Sequence, residues 1–68
     1  MILSHVIVLL REDCDMLAVQ DIVKAYKGAK IDNINNAVFL NDNFRTAQDF
    51  LEEIHPFTIA TRLNNEVI

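Results

Sequence analysis

Residues 2–10, ILSHVIVLL, decide the fold of this 68-residue chain. The segment is rich in β-branched residues and continuously apolar from Val6 to Leu10, which is typical of a buried strand rather than a helix. Residues 37–40, AVFL, form a second continuous apolar run. These two runs predict the two central strands of a sheet.

A helix is predicted between these two runs. Its N-cap is Asp13 or Asp15, because an aspartate side chain can accept hydrogen bonds from the free backbone N–H groups of a first turn. Gly28 ends the helix, since glycine adopts a positive φ without a Cβ clash. The apolar residues recur at helical spacing, at Met16, Val19, Ile22, Val23 and Tyr26.

The second half of the chain repeats this arrangement. Asp42 or Asn43 is expected to cap another helix, and Pro56 ends it because the residue before a proline avoids the helical region. Its apolar stripe consists of Phe44, Ala47, Phe50, Leu51 and Ile54.

Three weaker segments complete the pattern. Residues 29–34 are a short strand candidate, and Asn35 with Asn36 predicts a turn. Residues 57–63 alternate as in a half-buried strand, with Phe57, Ile59 and Leu63 on the buried side. Residues 64–68 are expected to fray.

The resulting order is strand, helix, weak strand, strand, helix, strand. With right-handed crossovers, this order predicts a ferredoxin-like α+β fold, in which a four-stranded antiparallel sheet carries two helices on one face. The sheet order is 4-1-3-2, which places the two apolar runs at its centre. The fold occupies residues 1–68 as one domain. Two alternatives stay open: three parallel strands without the weak strand, or an all-α bundle in which residues 2–10 are helical.

Composition excludes several functional classes. Ten acidic residues against six basic ones give a net charge of −4, which argues against DNA or RNA as the main ligand. The one cysteine cannot form an internal disulfide or a CxxC zinc site. The apolar run from Val6 is too short for a membrane span and has no signal-peptide features. We therefore expect a cytoplasmic protein without a membrane partner.

The face of the sheet opposite the helices is predicted to contact another protein. A central strand with one wet face should alternate apolar and polar residues, and neither apolar run does. A small chain with no disulfide and no strong metal pattern gains stability most simply from a second copy, so we predict a C2 homodimer with its sheets face to face. The alternative is that the tail, residues 64–68, folds back and covers part of this face with Val67 and Ile68. The predicted interface residues are Val6, Val8, Leu9, Leu10, Val38 and Leu40.

One cluster could carry chemistry. In the 4-1-3-2 sheet, the loop after the first strand meets the start of the fourth, so Glu12, Asp13, Asp15 and His55 could converge on a divalent metal ion and activate water. The simpler interpretation is that the acids cap the first helix while His55 lies at the C-terminal end of the second.

The sequence contains no catalytic motif, which favours a non-catalytic protein-interaction module with no cofactor. We expect a small acidic regulator, adaptor or inhibitor that works as a homodimer. Such a composition would also suit a phage or mobile-element protein. The alternatives are a metal-dependent hydrolase or nuclease using the acidic loop, and a small-molecule sensor with its ligand at the dimer interface. No Gly-rich loop supports the sensor.

Overall fold

The computed structural model describes residues 1–68 and has the predicted element order. All strand pairs are antiparallel, in the order β2-β3-β1-β4. This is the 4-1-3-2 order counted from the opposite edge, so the predicted ferredoxin-like α+β fold is confirmed and both alternatives are wrong. A 3₁₀ turn at His55–Phe57 joins the second helix to the last strand. The elements are β1 (Ile2–Leu10), α1 (Met16–Ala25), β2 (Ala29–Asp32), β3 (Ala37–Asn43), α2 (Phe44–Ile54) and β4 (Thr58–Val67).

Strand β1 alternates strictly between the two faces of the sheet. Val6, Val8 and Leu10 are buried in the core beneath the helices, whereas Ile7 and Leu9 lie on the opposite face and are partly exposed. A strand places successive side chains on opposite faces, so a continuous apolar run supplies both the core and the other side. The buried core cluster comprises Val6, Val8, Leu10, Val19, Val38, Leu40, Ala47, Phe50 and Ile54.

Side-chain caps determine where both helices begin. The Asp15 carboxylate accepts hydrogen bonds from the backbone N–H groups of Leu17 at 3.0 Å and Ala18 at 3.3 Å. The Asn43 side chain accepts from Thr46 N at 2.8 Å. Of the predicted caps, Asp15 and Asn43 are therefore confirmed. Each satisfies N–H groups that have no partner within the helix.

Gly28 is required for a reason other than the predicted one. No glycine in the chain has a positive φ. A Cβ atom at Gly28 would instead lie 2.6 Å from the backbone oxygen of Asn41 and 3.3 Å from Leu40 Cδ1. Glycine is therefore needed because the connection from α1 to β2 passes close to β3.

Asn35 and Asn36 lie in the turn between β2 and β3, as predicted. The Asp32 carboxylate accepts from Ile34 N, Asn35 N and the Asn35 side-chain amide. These hydrogen bonds, led by the one from the Asn35 side chain, lower the pKa of Asp32. Asn36 adopts a left-handed conformation with φ of 52°, which asparagine tolerates better than most residues.

Strand β4 is longer than predicted. Residues 64–67 continue it alongside β1, so the predictions that the tail frays or folds over the sheet are wrong. Ser4 Oγ, buried in the core, donates to Asn65 Oδ1 at 2.7 Å, and Ile68 N donates to Met1 O at 2.9 Å. A β-bulge opposite Leu9 and Leu10 leaves Ile59 exposed rather than buried.

Tyr26 should titrate well above a free tyrosine. Burial raises the pKa of Tyr26 to about 12, helped by the hydrogen bond from its hydroxyl to Glu53. Because the folded protein holds the proton more tightly than the unfolded chain, stability should fall as pH rises from about 10 towards 12. Tyr26 is the only tyrosine and there is no tryptophan, so ultraviolet absorbance reports it alone. Glu53→Gln should lower this pKa, and an unchanged value would contradict the contribution of Glu53.

Candidate functional site

The face of the sheet opposite the helices, here called the open face, is formed by side chains in register. One row across the four strands contains Lys30, Phe39, Ile7 and Arg62. The next row contains Asp32, Ala37, Leu9 and Ala60. Residues opposite one another on neighbouring strands lie on the same face.

The centre of the open face is apolar. Ile7, Leu9 and Phe39 are 37%, 40% and 37% exposed, and with exposed Ala60 they form what we call the apolar patch. Beside it lies a depression of about 230 Å³, lined by Ile7, Leu9, Ala60, Thr61 and Arg62. Ligand pockets usually measure about 300–1,000 Å³. The depression is therefore better suited to a protruding side chain than to a separate small molecule.

Most of the predicted interface residues lie on the other side of the sheet. Of the six, Leu9 alone is on the open face. The other five are 0–2% exposed in the core because α1 and α2 cover their side of the sheet. These five residues are Val6, Val8, Leu10, Val38 and Leu40.

The open face also contains residues that the sequence reasoning did not assign to an interface. They are Ile7 and Phe39 on the central strands, with Ala60 and Arg62 on β4. The alternation of β4 already placed Ala60 and Arg62 on its exposed side. No comparable signal exists for β1, because both of its faces are apolar in this region.

The other end of the open face is polar and internally bonded. His5 Nδ1 lies 2.8 Å from Asn41 Oδ1 on β3, and His5 Nε2 lies 3.3 Å from Glu66 Oε2 on β4. His5 thus links both neighbours of β1. These polar side chains satisfy one another, whereas the apolar patch has nothing over it.

Charge is unevenly distributed between the two sides of the molecule. On the open face, Lys30 and Arg62 balance Asp32 and Glu66. Since the chain has ten acidic and six basic residues, eight acidic and four basic residues remain elsewhere. The open face is therefore neutral overall, and the net charge of −4 lies on the helices, the loops and the helix side of β3, which carries Asp42.

Strand β4 is exposed along nearly its whole length. Thr58 and Leu63 are half-buried, and the other eight of its ten residues are exposed. It lies at one edge of the sheet and pairs with β1 alone. One side of its backbone therefore has no strand beside it.

The chain has no match among family models, curated proteins or solved structures. Neither helix has the length and apolar character needed to cross a membrane.

The acidic loop does not form the metal site that the hydrolase alternative requires. The topology does bring the chain segments together, since Arg11 N donates to Phe57 O at 2.9 Å and the Arg11 guanidinium donates to Pro56 O. Asp15, however, caps α1, and the His55 backbone lies at the end of α2. No group of three or more His, Cys, Asp or Glu side chains could hold a metal ion, so Glu12, Asp13, Asp15 and His55 do not converge.

Proposed function

We propose that this chain is a non-catalytic protein-interaction module that works as a homodimer. Two copies pack through their open faces about a two-fold axis. The observation that carries the proposal is the apolar patch, which the chain's own tail leaves uncovered because residues 64–67 belong to β4.

The apolar patch would be only the centre of the proposed interface. A standard interface buries about 800 Å² per partner. The whole chain exposes 4738 Å², so such an interface needs about a sixth of its surface, more than the apolar patch alone. The patch would form its apolar centre, and the polar row around His5 would form part of the rim. At about 25 cal/mol per Å², covering some 100 Å² of apolar surface on each copy contributes roughly 5 kcal/mol before the costs of association.

The charge distribution favours the open face as the contact between copies. Two neutral faces approach without net repulsion, whereas two helix sides that each carry the excess acidic charge repel one another. The acidic helix side stays outside the dimer, where it suits contact with a basic protein surface. This arrangement fits a small cytoplasmic regulator, adaptor or inhibitor. A short, acidic chain of this kind also suits a protein of phage or mobile-element origin.

Substitutions in the apolar patch should weaken the assembly. Ile7→Asp and Leu9→Asp place a charge at the centre of the proposed contact, so each should halve the mass measured by light scattering at micromolar concentration. Leu17→Asp is the matched control, because Leu17 is exposed on α1 and away from the open face. It should leave the mass unchanged.

Two results would contradict the face-to-face dimer. One is a parent chain that stays monomeric at high micromolar concentration. The other is a set of patch variants with the same mass as the parent while circular dichroism shows that they are folded.

A further inference from the structure

The outer edge of β4 has few of the features that usually keep strand edges apart. Exposed edges in natural proteins are protected by charged side chains, especially lysine, by proline, by bulges or by short length. The two charged residues of β4, Arg62 and Glu66, are opposite in sign. Strand β4 has ten residues, contains neither lysine nor proline, and has its bulge at its beginning, opposite Leu9 and Leu10. From Ala60 to Val67 the strand is regular and its outer side is free.

The hydrogen bonds on the inner side show which backbone groups point outward. Ile68 N donates to Met1 O, and in an antiparallel pair the bonded and non-bonded residue pairs alternate. Even-numbered residues from Ala60 onward therefore bond to β1. The bond from Leu10 N to Asn36 O agrees, because it directs the backbone of Leu10 towards β3 and that of Leu9 towards β4. The residues with outward N–H and C=O groups are Thr61, Leu63, Asn65 and Val67.

The charges on β4 are self-complementary about Asn64. Arg62 and Glu66 lie two residues on either side of it and share the open face. In an antiparallel pair centred on Asn64, Arg62 of each copy faces Glu66 of the other. A shift of two residues in either direction loses this match, because Arg62 then faces Asn64, or Asn64 faces Glu66.

We propose that β4 is a self-pairing edge that binds β4 of a second copy, antiparallel and centred on Asn64. In each copy, the pairing satisfies the outward N–H and C=O groups of all four residues. Together the two strands form about eight backbone hydrogen bonds. Each exposed ion pair adds modest affinity, and together the pairs favour this register because the shifted registers lack them.

Edge pairing is a second contact, distinct from the face-to-face dimer. Its two-fold axis is perpendicular to the sheet and leaves both open faces on the same side of an eight-stranded sheet. Two such sheets stacked through their open faces form a tetramer with D2 symmetry, a common closed arrangement. Edge pairing does not depend on face stacking, so the two can be tested separately.

Cysteine cross-linking tests the register directly. In a Cys14→Ser, Leu9→Asp background, which removes the native thiol and the face contact, Asn64→Cys should form a covalent dimer under mild oxidation. Non-bonded antiparallel pairs have Cα atoms about 4.5 Å apart, within disulfide range. Ala60→Cys is the matched control on the same strand and face. Its two copies would lie eight residues apart along the strand, about 26 Å, and should not cross-link.

Charge exchange provides a second, independent measurement. In the Leu9→Asp background, Arg62→Glu or Glu66→Arg alone should lose edge dimers, because like charges then face one another. An equimolar mixture of the two variants should form a heterodimer, detected by light scattering and by native mass spectrometry.

The results separate the two contacts. Failure of Asn64→Cys to cross-link, equal cross-linking at Ala60→Cys, or a mixture that stays monomeric would each overturn edge pairing. Cross-linking at Asn64→Cys would sustain it even if the patch variants disproved the face-to-face dimer.

Discussion

Phe50→Ala should remove most of the folding stability of this chain. Phe50 is 0% exposed on α2 and packs against Tyr26, with their ring centroids 5.3 Å apart at 75°. Truncating a buried phenylalanine costs about 3–5 kcal/mol. A domain of this length has roughly 3–10 kcal/mol in total. Urea denaturation followed by circular dichroism should show a midpoint at much lower urea than for the parent, or an unfolded variant.

Phe44→Ala is the matched control, because it makes the same substitution on the same helix. Phe44 is 41% exposed, so its truncation removes less buried area and should cost under about 1.5 kcal/mol. Equal losses for the two variants would contradict the view that α2 is held by its buried side chains Ala47, Phe50 and Ile54.

The parts of the fold that could be predicted from sequence depend on local chemistry. A capping side chain, a helical stripe and a proline each act within a few residues, so Asp15, Asn43 and the end of α2 before Pro56 could be identified without coordinates. The sheet order followed from the element order and the handedness of crossovers. The same sheet order placed the loop after β1 beside the start of β4. The hydrogen bonds from Arg11 to Phe57 O and Pro56 O confirm that placement.

The parts that could not be predicted depend on contacts between distant segments. Asn64 and Asn65 have low strand propensity, which favoured a frayed tail. Pairing with β1 and the hydrogen bond between Ser4 and Asn65 override that preference. Likewise, the need for Gly28 arises from a backbone oxygen of β3, thirteen residues away at Asn41.

The two faces of β1 illustrate the same limit at the candidate site. Val6 to Leu10 are all apolar, so nothing within the run distinguishes the core face from the open face. The helices decide, by covering Val6, Val8 and Leu10. Sequence therefore indicated that the open face carries apolar side chains, while the identities of those side chains required the three-dimensional structure.

This distinction predicts opposite results for adjacent residues. Val8→Asp should unfold the protein, since Val8 is 0% exposed and a buried, unpaired carboxylate costs several kcal/mol. Leu9→Asp should remain folded, because Leu9 is 40% exposed and its carboxylate can reach water. We expect Leu9→Asp to lose about 1 kcal/mol from packing and strand propensity.

Thermal unfolding at several protein concentrations would test this pair of variants. The comparison is made where the midpoint no longer depends on concentration, because assembly itself stabilises the parent. Val8→Asp should show no cooperative transition, and Val8→Ala should retain one with a lower midpoint. A folded Val8→Asp beside an unfolded Leu9→Asp would mean that the two faces of β1 are assigned the wrong way round. The apolar patch, and the dimer proposed on it, would then be wrong as well.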